Sequence, residues 1–155
     1  MRVEIQRVSE ASVTVDGQIC GQIGKGFLLL VGVGKGDCED DVIMMAEKIS
    51  KMRIFSDEND KMNLALADVG GAVLAISQFT LLADCRRGNR PDYFNAMPPE
   101  EANRLYEMFV DEMRKRSIHT EKGIFGADMK VSLLNDGPVT IVLDSESLKK
   151  SRKEK

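Results

Sequence analysis

Residues 72–82, AVLAISQFTLL, constrain the fold of this chain more than any other stretch. The run opens on the apolar segment AVLAI, short and β-branched enough to read as a strand buried on both faces. Polar groups then enter it. Ser77, Gln78 and Thr80 bring two hydroxyls and an amide, and continuing the strand would put Gln78 with Thr80 on one face and Ser77 with Phe79 on the other. Buried polar groups cost free energy unless they are paired, so such a strand end either satisfies them locally or uses them. Taken alone, the stretch leaves both readings open.

The remaining periodicities surround that strand with others. Val3, Ile5, Val13 and Val15 alternate with polar neighbours, Asp16-Gly17 is a hairpin signal of the type I′ kind, and residues 18–23 read as the returning strand. Residues 27–31, FLLLV, form another buried strand, a short one is expected over 52–55, and residues 131–134 and 139–143 read as two strands flanking Asp136-Gly137-Pro138. Two helices are inserted among them. Val42, Met45, Ala46 and Ile49 recur at helical spacing over 40–52, and Ala102, Leu105, Tyr106, Phe109, Val110 and Met113 form an apolar stripe after Pro98-Pro99. The pattern is α+β, with antiparallel and mixed sheets around two main helices. A length of 155 residues is one domain's worth. We expect a single domain over 1–145 and a basic, disordered tail over 146–155.

Composition excludes several classes. No apolar run approaches the length of a signal peptide core or a membrane span, so the chain is expected in the cytoplasm without a membrane partner. Cys20, Cys38 and Cys85 are odd in number and far apart, and His119 is the only histidine; neither a disulfide framework nor a zinc site is implied, and no metal or cofactor is expected. A net charge of −3 argues against strong non-specific nucleic-acid binding. Local basic clusters soften this. Arg86, Arg87 and Arg90 share one loop, which suffices for a few phosphate contacts.

Familiar catalytic patterns fail. Gly32-Val33-Gly34-Lys35-Gly36 has Asp37 where a dinucleotide-binding loop needs its third glycine, and no Gly-Lys precedes Ser or Thr. There is no GxSxG elbow, no cysteine has a histidine near it in sequence, and His119 would have to reach Thr80 from a helix end to serve as its base.

SQFTL at 77–81, GNRP at 88–91, GIFGA at 123–127 with Met129, and NDGPVT at 135–140 occur in an order and spacing that resembles the bacterial-type D-aminoacyl-tRNA deacylases. The resemblance covers residues 1–144. It implies a barrel-like core, a homodimer, and hydrolysis of the ester joining D-amino acids to tRNA without metal or cofactor. It implies that Ser77, Gln78, Phe79 and Thr80 form the catalytic pocket for the terminal adenosine and aminoacyl group. Gly137 and Pro138, joined by a cis bond and braced by Arg7, would enter the partner subunit's site and exclude L-amino acids, with Phe125 and Met129 lining the pocket. A filter of that kind works by exclusion, so it would also admit glycine, including glycine misattached to alanine tRNA. An RNA-binding module of the same fold without catalysis is the alternative, and a nucleotide-dependent enzyme using residues 32–36 is a third.

Overall fold

The computed structural model of the chain describes residues 1–150. β1 (Arg2–Val15) is the axis of a six-stranded mixed sheet. One of its edges is shared by β3 (Gly26–Gly32), antiparallel to residues 2–8, and β2 (Gln18–Ile23), antiparallel to residues 11–15. Asp16 and Gly17 both have positive φ, at 50° and 77°, as the expected hairpin turn requires. The other edge of β1 carries β8 (Lys130–Asp144). β6 (Ala72–Ser77) runs parallel to β3, and β7 (Thr120–Lys122) runs parallel to β6.

The sheet curls until β2 approaches β7 and the barrel nearly closes. A Cβ on Gly21 would lie 2.9 Å from the Lys122 carbonyl oxygen and 3.0 Å from Leu74, so glycine permits this approach. Val8, Val13, Ile23, Leu28, Leu74 and Ile76 fill the interior. Ile5, Phe27, Leu29, Val73 and Ala75 face the other way, onto α1 (Glu39–Lys51) and α3 (Pro99–Lys115). β3 and β6 are therefore covered on both faces, and that is why their sequences are unbroken apolar runs.

α1 begins with Glu39, Asp40 and Asp41 at the positive end of its dipole. Asp41 is fully buried. Burial alone would push its carboxyl up, but hydrogen bonding from Lys149 and from the Cys38 backbone outweighs it, and the net shift is downward. Lys149 Nζ lies 2.5 Å from its Oδ1. That ion pair anchors α4 (Ser145–Lys149) and corrects the expectation of disorder from residue 146. Asp144 caps the helix by accepting from the Glu146 N–H at 2.9 Å. Residues 151–155 of the expected tail lie outside the described residues.

Smaller differences concern the connections. The short strand expected over 52–55 is β4 (Phe55–Ser56), paired with β5 (Met62–Leu64) and followed by α2 (Leu66–Val69). The two strands expected on either side of Gly137-Pro138 are halves of one strand, β8. Between the pairs Gln6 with Thr140 and Val8 with Asn135, β1 advances by two residues while β8 advances by five, so the extra residues are extruded as a bulge. Among the described residues no helix is long and apolar enough to cross a membrane.

Candidate active site

The strand expected to carry Gln78 and Thr80 on one face stops at Ser77. The Gln78 N–H still donates to the Val31 carbonyl at 2.8 Å, but Gln78 leaves the sheet at φ −145°, ψ 84°, and Phe79–Leu82 winds into a 3₁₀ turn. The reason lies in the neighbouring strand. β3 ends at Gly32, where a Cβ would sit 2.6 Å from Leu82 and 3.0 Å from the Gln78 carbonyl, so glycine lets the turn fold back across the strand end. Arg2 holds the turn from outside by donating from Nη1 to the Leu81 carbonyl at 2.7 Å, while its Nε donates to Asp144 at 3.2 Å.

A helical turn leaves its first N–H groups without internal partners. Among the described residues the Phe79 and Thr80 N–H groups find no acceptor. Both residues line a cavity of about 590 Å³, a size suited to a small organic ligand. Ser77 and Gln78 line it as well, and Ile76, Met97, Phe125 and Met129 make its apolar walls. The Thr80 hydroxyl accepts from the Gln78 side-chain amide. Phe79 is 54% exposed, with its ring edge-to-face to Tyr93 at 5.0 Å between centroids. Behind the wall, Tyr106 packs against Phe125 and its hydroxyl donates to the Ala75 carbonyl at 2.7 Å. Burial pushes that phenol well above its ordinary range, so it holds its proton.

The histidine is remote from Thr80. The His119 carbonyl accepts from the Val73 N–H, which fixes the histidine at the far end of β6, about 13 Å of strand from Ser77. Asp128 is on the cavity rim, but it is exposed and paired with Lys130 at 3.1 Å. The His-based arrangement weighed from the sequence is thereby excluded within one chain.

The structure thus brings Ser77, Gln78, Phe79, Thr80, Phe125 and Met129 together. Arg7, Gly137 and Pro138 form a separate cluster. The Gly137-Pro138 bond is cis, both residues are exposed, and neither lines the cavity of their own chain. Arg7 donates from Nε to the Asp136 carbonyl at 3.0 Å and from Nη1 to the Ile54 carbonyl at 2.8 Å, pinning the bulge from below. Asn135 closes it from the strand side, its Oδ1 accepting from the Val139 N–H at 2.8 Å. Arg86, Arg87 and Arg90 are exposed on the loop after the turn. Arg86 is engaged by Asp84 at 2.7 Å, and the guanidinium's hydrogen bonds hold that carboxyl down to about 2.

Sequence reasoning missed Arg2, Tyr93 and the segment 96–99. Met97 reaches the cavity because its N–H donates to the Val33 carbonyl at 3.0 Å, docking the loop on the end of β3. Only Tyr93, one of two adjacent aromatics in the loop, offered a signal.

A 3₁₀ turn whose leading N–H groups lack acceptors among the described residues, at a strand end and beside apolar walls, defines an α+β protein with a ligand-sized cavity beside a curled sheet. The chain matches the family model described as D-Tyr-tRNA(Tyr) deacylase over residues 4–144. It is 58% identical to a D-aminoacyl-tRNA deacylase of Lactobacillus delbrueckii subsp. bulgaricus over 93% of this chain and 99% of that one, and 52% identical to one of Dictyoglomus turgidum over 100% and 99%. Among solved structures, c-Myc DNA Unwinding Element Binding Protein superposes with a TM-score of 0.87 at 39% identity, covering 93% of this chain and 98% of its own. A probable eukaryotic D-amino acid tRNA deacylase shares the fold, with a TM-score of 0.77 at 14% identity over 92% and 97%. The chain belongs to the D-Tyr-tRNA(Tyr) deacylase family, a family of hydrolases.

Proposed function

We propose that this chain hydrolyses the ester between a D-amino acid and the terminal adenosine of tRNA, as a cytoplasmic homodimer serving translation quality control. The observation that carries the reading is the 3₁₀ turn Phe79–Leu82, whose leading N–H groups lack acceptors among the described residues and belong to residues lining the cavity. Water adds to the ester carbonyl, and the resulting oxyanion accepts from the Phe79 and Thr80 N–H groups. One such donor is typically worth about 3 kcal/mol in the transition state. The intermediate then collapses, the carbon–oxygen bond to the ribose breaks, the ribose oxygen takes a proton, and free D-amino acid leaves. Thr80, held by Gln78, positions the ester, and the neighbouring ribose 2′-hydroxyl helps to activate water. A threonine hydroxyl without a base is a weak nucleophile, and the side-chain hydrogen-bond partner of this one among the described residues is the Gln78 amide.

Gly137 and Pro138 supply the chiral filter from the partner subunit. Their exposure outside their own chain's cavity supports this role, as does the bracing by Arg7. A rigid main chain beside the substrate's Cα excludes an L side chain and leaves a D side chain free; glycine, with none, passes, so glycyl-tRNA(Ala) is also a substrate. The dimer itself is supported by β8, which pairs along one edge with β1 and exposes Leu134 (57%) and Val142 (60%). Arg86, Arg87 and Arg90 meet backbone phosphates of the acceptor end.

The test is amino-acid release from D-Tyr-tRNA, L-Tyr-tRNA and Gly-tRNA with EDTA present. Loss of the D and glycyl esters with the L ester spared is the expected result; equal cleavage of all three removes the filter, and survival of all three removes the enzyme. That last outcome would favour an RNA-binding module of the same fold without catalysis.

A further inference from the structure

The loop that brings Tyr93 to the cavity carries a second aromatic ring, on Phe94, that plays no part in the site described above. Phe94 is 74% exposed. Its backbone is nevertheless tied down: its N–H donates to Asp92 Oδ1 at 2.9 Å, the next carbonyl, on Asn95, accepts from the Lys35 N–H at 2.9 Å, and Ala96 is bridged to Gly34. The ring is held in solvent by an ordered loop. The Lys35 ammonium stands 3.5 Å from its centroid, a close cation–π contact.

The flanking residues open in two directions. Tyr93 lines the cavity and meets Phe79, whereas Asn95 and Lys35 line a neighbouring polar groove of about 530 Å³ in which Arg2 and Arg86 are paired with Asp144 and Asp84, the amino terminus is paired with Asp37, and Lys35 has no carboxylate partner among the described residues. Phe94 therefore lies at the junction of pocket and groove. Aromatic rings combined with cations are how proteins hold single-stranded nucleic acid, since every base has a face to stack and every linkage a phosphate to pair.

We infer that Phe94 is the stacking platform for the nucleobase immediately 5′ of the terminal adenosine in the single-stranded 3′ end of tRNA, with Lys35 facing the phosphate that joins the two. The inference rests on the deacylase reading, which puts that adenosine in the cavity that Tyr93 also lines.

The chain contains no tryptophan, so Phe94→Trp introduces a single fluorescent reporter at an exposed position. An uncharged trinucleotide ending in CCA should quench this fluorescence, and adenosine alone should not. Phe94→Ala should weaken trinucleotide binding about ten-fold, the effect of losing one base–aromatic stack. With charged substrates, Phe94→Ala should raise KM for D-Tyr-tRNA by about the same factor at similar kcat, while Phe94→Trp keeps the wild-type value. The shorter ester, D-tyrosyl-adenosine, should show no such change in KM. Bound trinucleotide that leaves the reporter unquenched, quenching by adenosine alone, or an equal effect of Phe94→Ala on long and short esters would overturn the inference. A wild-type protein that cleaves neither ester would overturn the deacylase reading instead, and the fluorescence titration would still decide whether Phe94 stacks a base.

Discussion

Removing one hydroxyl behind the pocket should make stability depend on pH in a way that can be calculated. Tyr106 is 1% exposed, and its hydroxyl donates to the Ala75 carbonyl, which also accepts from the Gly123 N–H at 3.3 Å. Tyr106→Phe therefore removes a donor without orphaning the acceptor, and the cost near neutral pH is that of one net hydrogen bond, about 1 kcal/mol. With a urea m-value of about 2 kcal/mol/M, the midpoint should fall by about 0.5 M. Burial raises the folded-state pKa of this phenol above its ordinary value. Above about pH 10 the unfolded chain releases the proton and the folded chain keeps it, so this contribution is complete below that pH and is lost as pH rises, by about 1.4 kcal/mol per unit. The variant has no such loss. The wild-type advantage should vanish near pH 10.7, about 0.7 units past the unfolded pKa, and reverse above it. Urea titrations of both proteins at pH 7, 10 and 11 measure this, with D-Tyr-tRNA turnover at pH 7 expected to stay within about two-fold because the contact with Phe125 survives. A stability difference constant from pH 7 to 11 would refute the burial reasoning. A loss above 3 kcal/mol at pH 7 would refute the claim that Ala75 keeps a partner.

Thr80→Ala should slow D-Tyr-tRNA turnover without abolishing it, and Thr80→Ser should restore most of the rate; single-turnover kinetics distinguish this from a nucleophile, whose removal would abolish turnover. Arg7→Ala removes donors to the Asp136 and Ile54 carbonyls, so it should cost about 1–2 kcal/mol by urea melting and narrow the ratio of D to L hydrolysis. Leu134→Asp with Val142→Asp should give a monomer by light scattering and, on the cross-subunit reading, the same narrowing. The Asp84 carboxyl, held to about 2 by Arg86, contributes stability above its ordinary value of 3.8 that is lost as pH falls toward 2. Arg86→Ala should return its NMR-detected titration toward 3.8.

Much of the architecture was legible because periodicity records burial. The alternation in the first strand, the apolar runs of β3 and β6 and the stripe of α3 each state which faces meet a core. Asp16-Gly17 and Pro98-Pro99 are local signals whose backbone preferences need no tertiary help. That Ser77 through Thr80 meet Phe125 and Met129 at one cavity was also legible, through what the family resemblance implies.

Its geometry was not. Gln78 and Thr80 read as neighbours on a strand, and only the end of β3 at Gly32 turns that strand into a 3₁₀ turn whose first N–H groups lack acceptors among the described residues. Residues 131–134 and 139–143 read as separate strands because Gly137-Pro138 interrupts their pattern, whereas the long edge of β1 keeps both halves in one ladder and extrudes what lies between. The closing helix was read as disordered because its tie, Lys149 to Asp41, joins residues more than a hundred positions apart. Sequence by itself determined which residues are apolar, which turns are permitted and which polar groups cluster along the chain, since these are properties of neighbours in sequence. Tertiary structure decided where strands stop, which carbonyls and N–H groups remain free, and which loop reaches the pocket, because those depend on distant backbone competing for the same partners.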